Sequence, residues 1–362
     1  MKYDLLKENT EIKASHFRFY SGFFIIIILI VCGILCYFLF LNHPLILQSE
    51  DKEARKAFEE FVLSYKKLYS SKDEHEYRFS IFQNNFLKIK EMNSQNNKFT
   101  VAINHFADLS DEEFSHYYLK PKKNRKLFDP SPCNRQGSNN NYQDVNIDYR
   151  KFYPPVKDQG LCGSCWTFSC IGGIEGLYNS KHNLSEKPVS LSEQELMDCS
   201  YNLSEYNYVA GCDGGEHNEG YKYVMDHKIS HEEDYPYLAI DEDCRNVTTE
   251  KISISNRSVI EICHQDYMLT NLMRQPLTTS LSADHLAFRF YSSGIVTHGC
   301  GYELDHDVVI VGAGTENNIP YWIIRNSWGR GWGEGGYIRI QRYEPIHPGV
   351  CGEALDVGYP II

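Results

Sequence analysis

The residues best able to do chemistry lie where a glycine-loosened loop runs into an amphipathic helix, in Gln159-Gly160-Leu161-Cys162-Gly163-Ser164-Cys165-Trp166-Thr167-Phe168-Ser169. Cys165 sits at the junction, at the positive end of the helix dipole, where its thiolate is favoured. A nucleophilic cysteine needs that setting, and Gln159 is placed to donate a hydrogen bond to a developing oxyanion. The same Cys-x-x-Cys also suits a redox dithiol or half of a zinc site. A cysteine nucleophile further needs a base, and the base needs a group to orient it. His306 opens an apolar run within Leu304-Asp305-His306-Asp307, and Asn326 ends the next in Arg325-Asn326-Ser327-Trp328-Gly329. Neighbouring antiparallel strands can bring these two side chains together at one end of a sheet. A neutral amide fixes an imidazolium ring while the thiolate supplies the counter-charge, and Trp328 can shield their hydrogen bond from water.

The elements that must hold these residues follow from periodicity. Val308–Val311, Tyr321–Ile324 and Tyr337–Ile340 read as short strands between glycine-rich turns, and Ser190–Leu196 as a capped helix. A helical half followed by an antiparallel half predicts an α+β fold with the cleft between the halves. The glycines of 329–336 are turn glycines, since no phosphate-loop unit contains them. Upstream, 54–97 is helical in pattern: Phe58, Phe61, Val62, Tyr65 and Leu68 form one stripe, and Tyr77, Ile81, Phe82, Phe86 and Ile89 a second. A strand over 99–103 precedes a helix capped by Ser110. Residues 120–146 turn basic and then Asn-, Gly- and Pro-rich, an exposed linker with a processing site. Phe23–Leu41 is an apolar run of about the ~20 residues that span a bilayer. With the basic flank on its N-terminal side, it predicts a signal anchor with residues 1–22 in the cytosol. A cleaved signal peptide is the alternative, disfavoured by the long leader and the lack of an Ala-x-Ala-like site.

Charge and cysteines bound the setting. The formal net charge is −12, and residues from Tyr142 onward carry about −15 of it, which leaves about +3 upstream. An acidic body argues against nucleic acid as a partner and makes the weakly basic N-terminal part an electrostatic match for it. Nine of the twelve cysteines follow residue 160, a density that predicts disulfides and an oxidising compartment, with the odd number leaving room for a free thiol. Asn183, Asn202, Asn246 and Asn256 begin glycosylation sequons.

Taken together, Gln-Gly-x-Cys-Gly-Ser-Cys-Trp-x-Phe-Ser, Asp-His and Asn-Ser-Trp-Gly-x-x-Trp-Gly-x-x-Gly-Tyr resemble the papain-like cysteine proteases of the cathepsin L type. Glu74, Arg78, Phe82, Asn85, Ile89 and Asn93 resemble that family's inhibitory propeptide helix, and Ala102-x-Asn104-x-Phe106-x-Asp108 its second propeptide motif. An anchor ahead of a propeptide is similar to the membrane-anchored precursors of falcipain-like proteases in apicomplexan parasites. The resemblance implies a two-lobed fold, with a helical left lobe and an antiparallel β-barrel-like right lobe, preceded by a helical propeptide and one transmembrane helix. The implied order is cytosolic 1–22, anchor 23–41, propeptide 50–120, linker 121–144 and catalytic domain 145–362.

By the same resemblance Cys165, His306 and Asn326 form a catalytic triad and Gln159 the oxyanion donor of an endopeptidase with an acyl-enzyme intermediate. A redox pair explains neither His306, Asn326 nor the propeptide, and a zinc site lacks a second ligand pair. The implied disulfides are Cys162–Cys212, Cys199–Cys244 and Cys300–Cys351, leaving Cys170 and Cys263 as buried small hydrophobes unless they join each other. The implied substrate cleft uses Gly214, Gly215, Glu216, His217, Ser280, Leu304, Asp305, Asp307, Trp328, Asp356 and Gly358. Asp307 and Asp356 make its main pocket acidic and Gly358 makes it roomy, which favours Arg or Lys two residues before the scissile bond beside Leu or Phe. Asp307 could also compete with Asn326 for the His306 ring. No metal or organic cofactor is implied. The expected partners are protein or peptide substrates, the propeptide as inhibitor and the membrane, with a mature monomer. The expected location is a type II membrane precursor whose mature form is lumenal, endolysosomal, vacuolar or secreted. A catalytically silent relative serving as an anchored binding or adhesion protein is the reading from another class.

Overall fold

The computed structural model describes residues 50–121, 126–127, 129, 131–133, 145–201, 203, 205–206, 208–343 and 347–362. The chain divides into two compact units, Met1–Leu68 and Tyr69–Ile362. In the first, residues 50–64 are helical and bury Ala54, Phe58 and Phe61, but Leu68 is almost fully exposed, so the first apolar stripe is shorter than its spacing predicts. The apolar run 23–41 lies outside the described residues, and among those described no helix is long and apolar enough to cross a membrane. The type II membrane precursor, with the localisation and the falcipain-like architecture that rest on the anchor, is therefore corrected: nothing described supports it.

In the second unit the helix Lys72–Ser94 is capped by Ser71, whose hydroxyl accepts from the Glu74 N–H. It buries Phe79, Phe82, Asn85 and Ile89, while Tyr77 faces outward. Three of the four polar members of the propeptide-like signature tie this helix to the chain that follows it. Arg78 donates to the Asp108 carbonyl and pairs with Glu113, Asn85 donates to the carbonyls of Ala107 and Leu109, and Asn93 exchanges two hydrogen bonds with Val101. The helix Asp111–Tyr118 begins at Ser110 in a complete capping box with Glu113.

Phe99–Val101 adds an antiparallel edge to Tyr291–Val296 of a nine-strand sheet. The approach is so close that a side chain at Gly294, where φ is +90°, would collide with the Lys98 carbonyl. From that edge the sheet runs through Tyr337–Gln341, Ile319–Arg325, His306–Glu316, Leu277–Leu281 and Val357–Ile361 to Asn256–Ile260, with the ninth strand, Ile147–Asp148, paired to His306–Glu316 off this path. Its pairs are antiparallel except Tyr337–Gln341 on Tyr291–Val296. The helices Cys165–Lys181, Glu193–Ser200 and His217–His227 share a core of Trp166, Ile171, Ile174, Leu196, Tyr221 and Val224. The first packs on His306–Glu316, where the Ser169 hydroxyl donates to the Val308 carbonyl.

Among the described residues four disulfides join Cys162–Cys212, Cys199–Cys244, Cys300–Cys351 and Cys133–Cys263. The last corrects the expectation for Cys263, which pairs with the linker cysteine and is neither free nor joined to Cys170. Among the described residues Cys165 and Cys170 are the free thiols.

Candidate active site

Cys165 starts its helix and His306 starts its strand, so the helix–strand packing brings both starts to the same end of the interface. Ser169, one turn along from Cys165, donates to the carbonyl of Val308, two residues along from His306, which sets the thiol beside the start of the His306 strand. Register does the rest: Val309 pairs with Arg325, so His306 and Asn326 lie at adjoining strand ends and meet through His306 Nε2 and Asn326 Oδ1 at 2.7 Å. That bond leaves His306 Nδ1 as a buried ring nitrogen without a hydrogen bond. Trp328 stacks on the ring at 4.6 Å and 27°. Gln159 is fully buried, with Oε1 accepting from the Ser327 hydroxyl at 2.7 Å. Its Nε2 donates to the carbonyls of Cys162 at 2.9 Å and Tyr118 at 3.2 Å. Ser327 and Tyr237 are positioning residues that spacing alone did not reveal. The Tyr237 hydroxyl donates to the Gln159 carbonyl and meets the Ser164 hydroxyl, joining the loop to the helix start.

The expected cleft residues divide into three groups. Gly214 and Gly215 form a side-chain-free rail: a Cβ at Gly215 would strike the Trp166 indole, and one at Gly214 the Tyr208 hydroxyl. Asp305 is fully buried and its carboxylate accepts from the N–H groups of Ala283 and Asp284, so its cleft-side contribution is the backbone carbonyl. Leu304 belongs to an apolar cluster with Cys133, Cys263 and Leu355. Glu216, His217, Ser280 and Asp307 converge. Asp307 Oδ1 accepts from Ser280 Oγ at 2.5 Å, Oδ2 lies 3.5 Å from His217 Nδ1, and Ser280 Oγ also lies 3.3 Å from Asp356. Asp307 thus faces this cluster and leaves the His306 ring to Asn326. At Gly358 the expected room is taken, because the Asn218 amide occupies the space a side chain there would need. Asn183, Asn246 and Asn256 are exposed, and Asn202 lies outside the described residues.

Lys120, which the sequence assigns to the start of an exposed basic stretch, is 2% exposed. Its ammonium lies 2.9 Å from Asp307 Oδ1 and 3.6 Å from Glu216 Oε1, and its backbone N–H donates to the Asp305 carbonyl at 2.8 Å. Burial opposes charge on Lys120, but Asp307 and Glu216 hold it protonated above the usual lysine range. Burial likewise opposes charge on Asp307, yet Lys120, then His217 and Ser280, hold it well below the usual carboxylate range. Phe106, Phe114 and Tyr118 set ring edges against Trp328.

Burial also acts on the two titrating groups, Cys165 and His306. Burial, with Asp307 adding to it, pushes the Cys165 thiol up to about 12 against the pull of Lys120 and the Asp307 N–H. Burial takes His306 down to about 4 despite the Asn326 hydrogen bond. The helix start favours a thiolate, but at this buried site desolvation outweighs it and favours the neutral form of both groups.

Residues 144–361 match the model of the papain family cysteine proteases, and residues 58–114 that of the cathepsin propeptide inhibitor domain. The chain is 37% identical over 317 residues to the probable cysteine protease RD21C of Arabidopsis thaliana, covering 86% of this chain and 68% of that one. Among solved structures it superposes with a TM-score of 0.73 and 29% identity on the ragweed pollen allergen Amb a 11 in its proform, over 86% of this chain and 95% of that one. Digestive procathepsin L 3 of the Tenebrio molitor larval midgut gives 0.72 and 33%, over 85% and 99%. The chain belongs to the papain family, as a cysteine endopeptidase made as a zymogen with its own inhibitory propeptide.

Proposed function

We propose that Cys165 is the nucleophile, His306 its proton partner, Asn326 the group that orients His306, and Gln159 with the Cys165 backbone N–H the oxyanion donors. Once the propeptide leaves, water re-enters the cleft, the penalty on charge falls, and the Cys165 proton moves to His306 Nδ1. The thiolate attacks the peptide carbonyl carbon, and the tetrahedral oxyanion is held by Gln159. Collapse breaks the C–N bond as His306 gives its proton to the leaving amine, and the acyl group stays on sulfur. A water molecule, deprotonated by His306, then releases the acid and restores the thiol–imidazole pair.

The pocket of Glu216, His217, Ser280 and Asp307 is proposed to accept basic residues two before the scissile bond, besides hydrophobic ones. The observation carrying this is Lys120. The propeptide passes its Tyr118 carbonyl to Gln159 and its Lys120 N–H to the Asp305 carbonyl, running through the cleft in the reverse direction to a substrate, and buries a cation against Asp307. A substrate lysine or arginine would find the same charge-assisted partners. Of the two carboxylates that make the pocket acidic, Asp307 is the one in contact with Lys120.

Two measurements test this reading. After acid activation, a thiol-directed epoxide should label Cys165. A processed protein in which Cys165 stayed unmodified while other thiols reacted would favour the silent-relative reading. With dipeptide substrates, Asp307→Ala should lower the Arg-to-Leu preference by about tenfold or more, since a buried charge-assisted hydrogen bond contributes about 1.5–3 kcal/mol. An unchanged ratio would refute the basic preference and leave the nucleophile assignment standing.

A further inference from the structure

Beyond the cleft, a covalent bond joins the linker to the catalytic domain. Cys133 and Cys263, separated by 130 residues in sequence, form a disulfide. Both are buried, 1% and 2% exposed, in a cluster with Leu304 and Leu355 against which Tyr302 packs. Ahead of it in the linker, Lys126–Leu127 pairs antiparallel with Glu303–Leu304. The domain side is firmly held: the Cys263 N–H donates to the Ala354 carbonyl at 2.7 Å, and its carbonyl accepts from the N–H groups of His347 and Gln265. Tyr118 and Lys120, which fill the cleft, precede Cys133, and the match to the protease family begins at residue 144.

This connectivity makes the position of a cut decisive. A break on the N-terminal side of Cys133 frees the propeptide. A break between Cys133 and residue 144 severs the backbone but leaves the propeptide attached through sulfur, at an effective concentration on the order of millimolar. We infer that the region around Cys133 stays with the catalytic domain after activation, so that the activating cut lies N-terminal to Cys133 and a chain cut only C-terminal to it remains latent. A low-molecular-weight thiol bypasses the tether: its thiolate attacks one sulfur and expels the other, a second thiol resolves the mixed disulfide, and two cysteine thiols and the reagent's disulfide result. The inference rests on the zymogen reading and not on the assignment of the nucleophile.

The test uses the full chain with a recognition sequence for a site-specific endopeptidase inserted between residues 134 and 144. Each sample is cut at neutral pH, diluted to low nanomolar concentration and assayed without reductant. The chain with Cys133 intact should stay near its uncut activity and rise when a small thiol is added, whereas Cys133→Ser should rise at least about tenfold without thiol. Equal rises in both without thiol would overturn the inference. Non-reducing mass spectrometry of the acid-activated chain, alkylated beforehand, decides independently of whether Cys133→Ser folds. A catalytic domain carrying the Cys133 peptide on Cys263 is expected, and one that lacks Cys133, or has Cys263 alkylated, overturns it. Should neither sample hydrolyse substrate, the proposed chemistry fails, and the mass spectrum still decides the tether.

Discussion

The propeptide holds the cleft at two places that differ in kind. At Trp328 the grip is aromatic. Phe106, Phe114 and Tyr118 lie 5.1, 5.4 and 6.4 Å from the indole at near-perpendicular angles, and the catalytic domain's Arg289 stacks on Phe114 while donating to the carbonyls of Phe106 and Leu109. At Asp307 the grip is ionic, with Lys120 inserted between Asp307 and Glu216. Aromatic burial contributes through area and edge-to-face contact, and is nearly indifferent to pH and salt. A buried ion pair contributes little net affinity after desolvation, but a segment without the cation leaves carboxylates buried and unpaired, which costs several kcal/mol. The first grip is therefore expected to contribute more to the hold than the second. Nor do the charges follow one sign across the interface, as the regional balance suggests, because Arg289 pairs with the propeptide's Asp111.

The largest effect is expected at the aromatic grip. Phe106→Ala removes a fully buried ring from Trp328 and Phe114, at a cost of about 3–5 kcal/mol. The uncut zymogen should then expose Cys165 to an epoxide probe on the order of 10² to 10³ times faster at neutral pH. An unchanged labelling rate would mean that the ionic grip alone keeps the cleft closed.

A smaller loss with a distinctive pH dependence is expected from Lys120→Met, which keeps the apolar stem and removes the charge. Labelling at neutral pH should rise by about ten- to a hundredfold, equivalent to about 1.5–3 kcal/mol. Without Lys120, Asp307 loses the main attraction that holds its carboxyl low, so its value in the closed state rises above that of the open state. Closure of this variant should therefore strengthen as pH falls, the reverse of a group with a depressed value. Adding Asp307→Asn should restore much of the closure at neutral pH. A Lys120→Met zymogen with wild-type labelling at every pH would show that the ion pair is incidental.

The readable and unreadable parts of this arrangement differ in range. Gln159, Cys165, His306 and Asn326 stand in short local motifs, and the cap at Ser110 is a matter of neighbouring residues, so both were visible in the sequence. The meeting of His306 with Asn326 was visible only as a possibility. It depends on a strand register that includes an irregularity between Ile310 and Gly312, which no local pattern encodes. Lys120 was misread because a basic run beside a Pro- and Asn-rich stretch has the composition of exposed chain. Its burial comes from acidic partners on distant segments, at Glu216 and Asp307. The pairing of Cys133 has no local signal either, its partner being 130 residues away. Gly358 suggested space because nothing local says that Asn218 fills it. The thiolate was expected from the helix start, a local effect, whereas the opposing upward shift comes from burial, which local sequence does not report.

The smallest expected effect concerns what acid does to the brace behind the aromatic grip, whose propeptide rings, Phe106, Phe114 and Tyr118, carry no group that titrates in acid. Glu113 braces the segment carrying Phe106 and Phe114: it accepts from Arg78 at 2.8 Å and from the Ser110 N–H at 2.9 Å. Burial would raise its carboxyl, but Arg78 and the Ser110 N–H outweigh burial and hold it below the usual range. A depressed carboxylate stabilises the closed form above its unfolded value near pH 4.3 and loses that contribution as pH falls through the lower folded value. Acid therefore loosens the aromatic grip indirectly, by releasing its brace, while Asp307, held far lower, still pairs with Lys120. Glu113→Gln removes at every pH what the parent chain loses only in acid, so half-maximal labelling of Cys165 should move to higher pH, and the profile should flatten. Because the pair is partly exposed, the shift should be only about half a pH unit. A profile that coincides with that of the parent chain would place the acid sensitivity of closure elsewhere and leave the aromatic grip independent of pH.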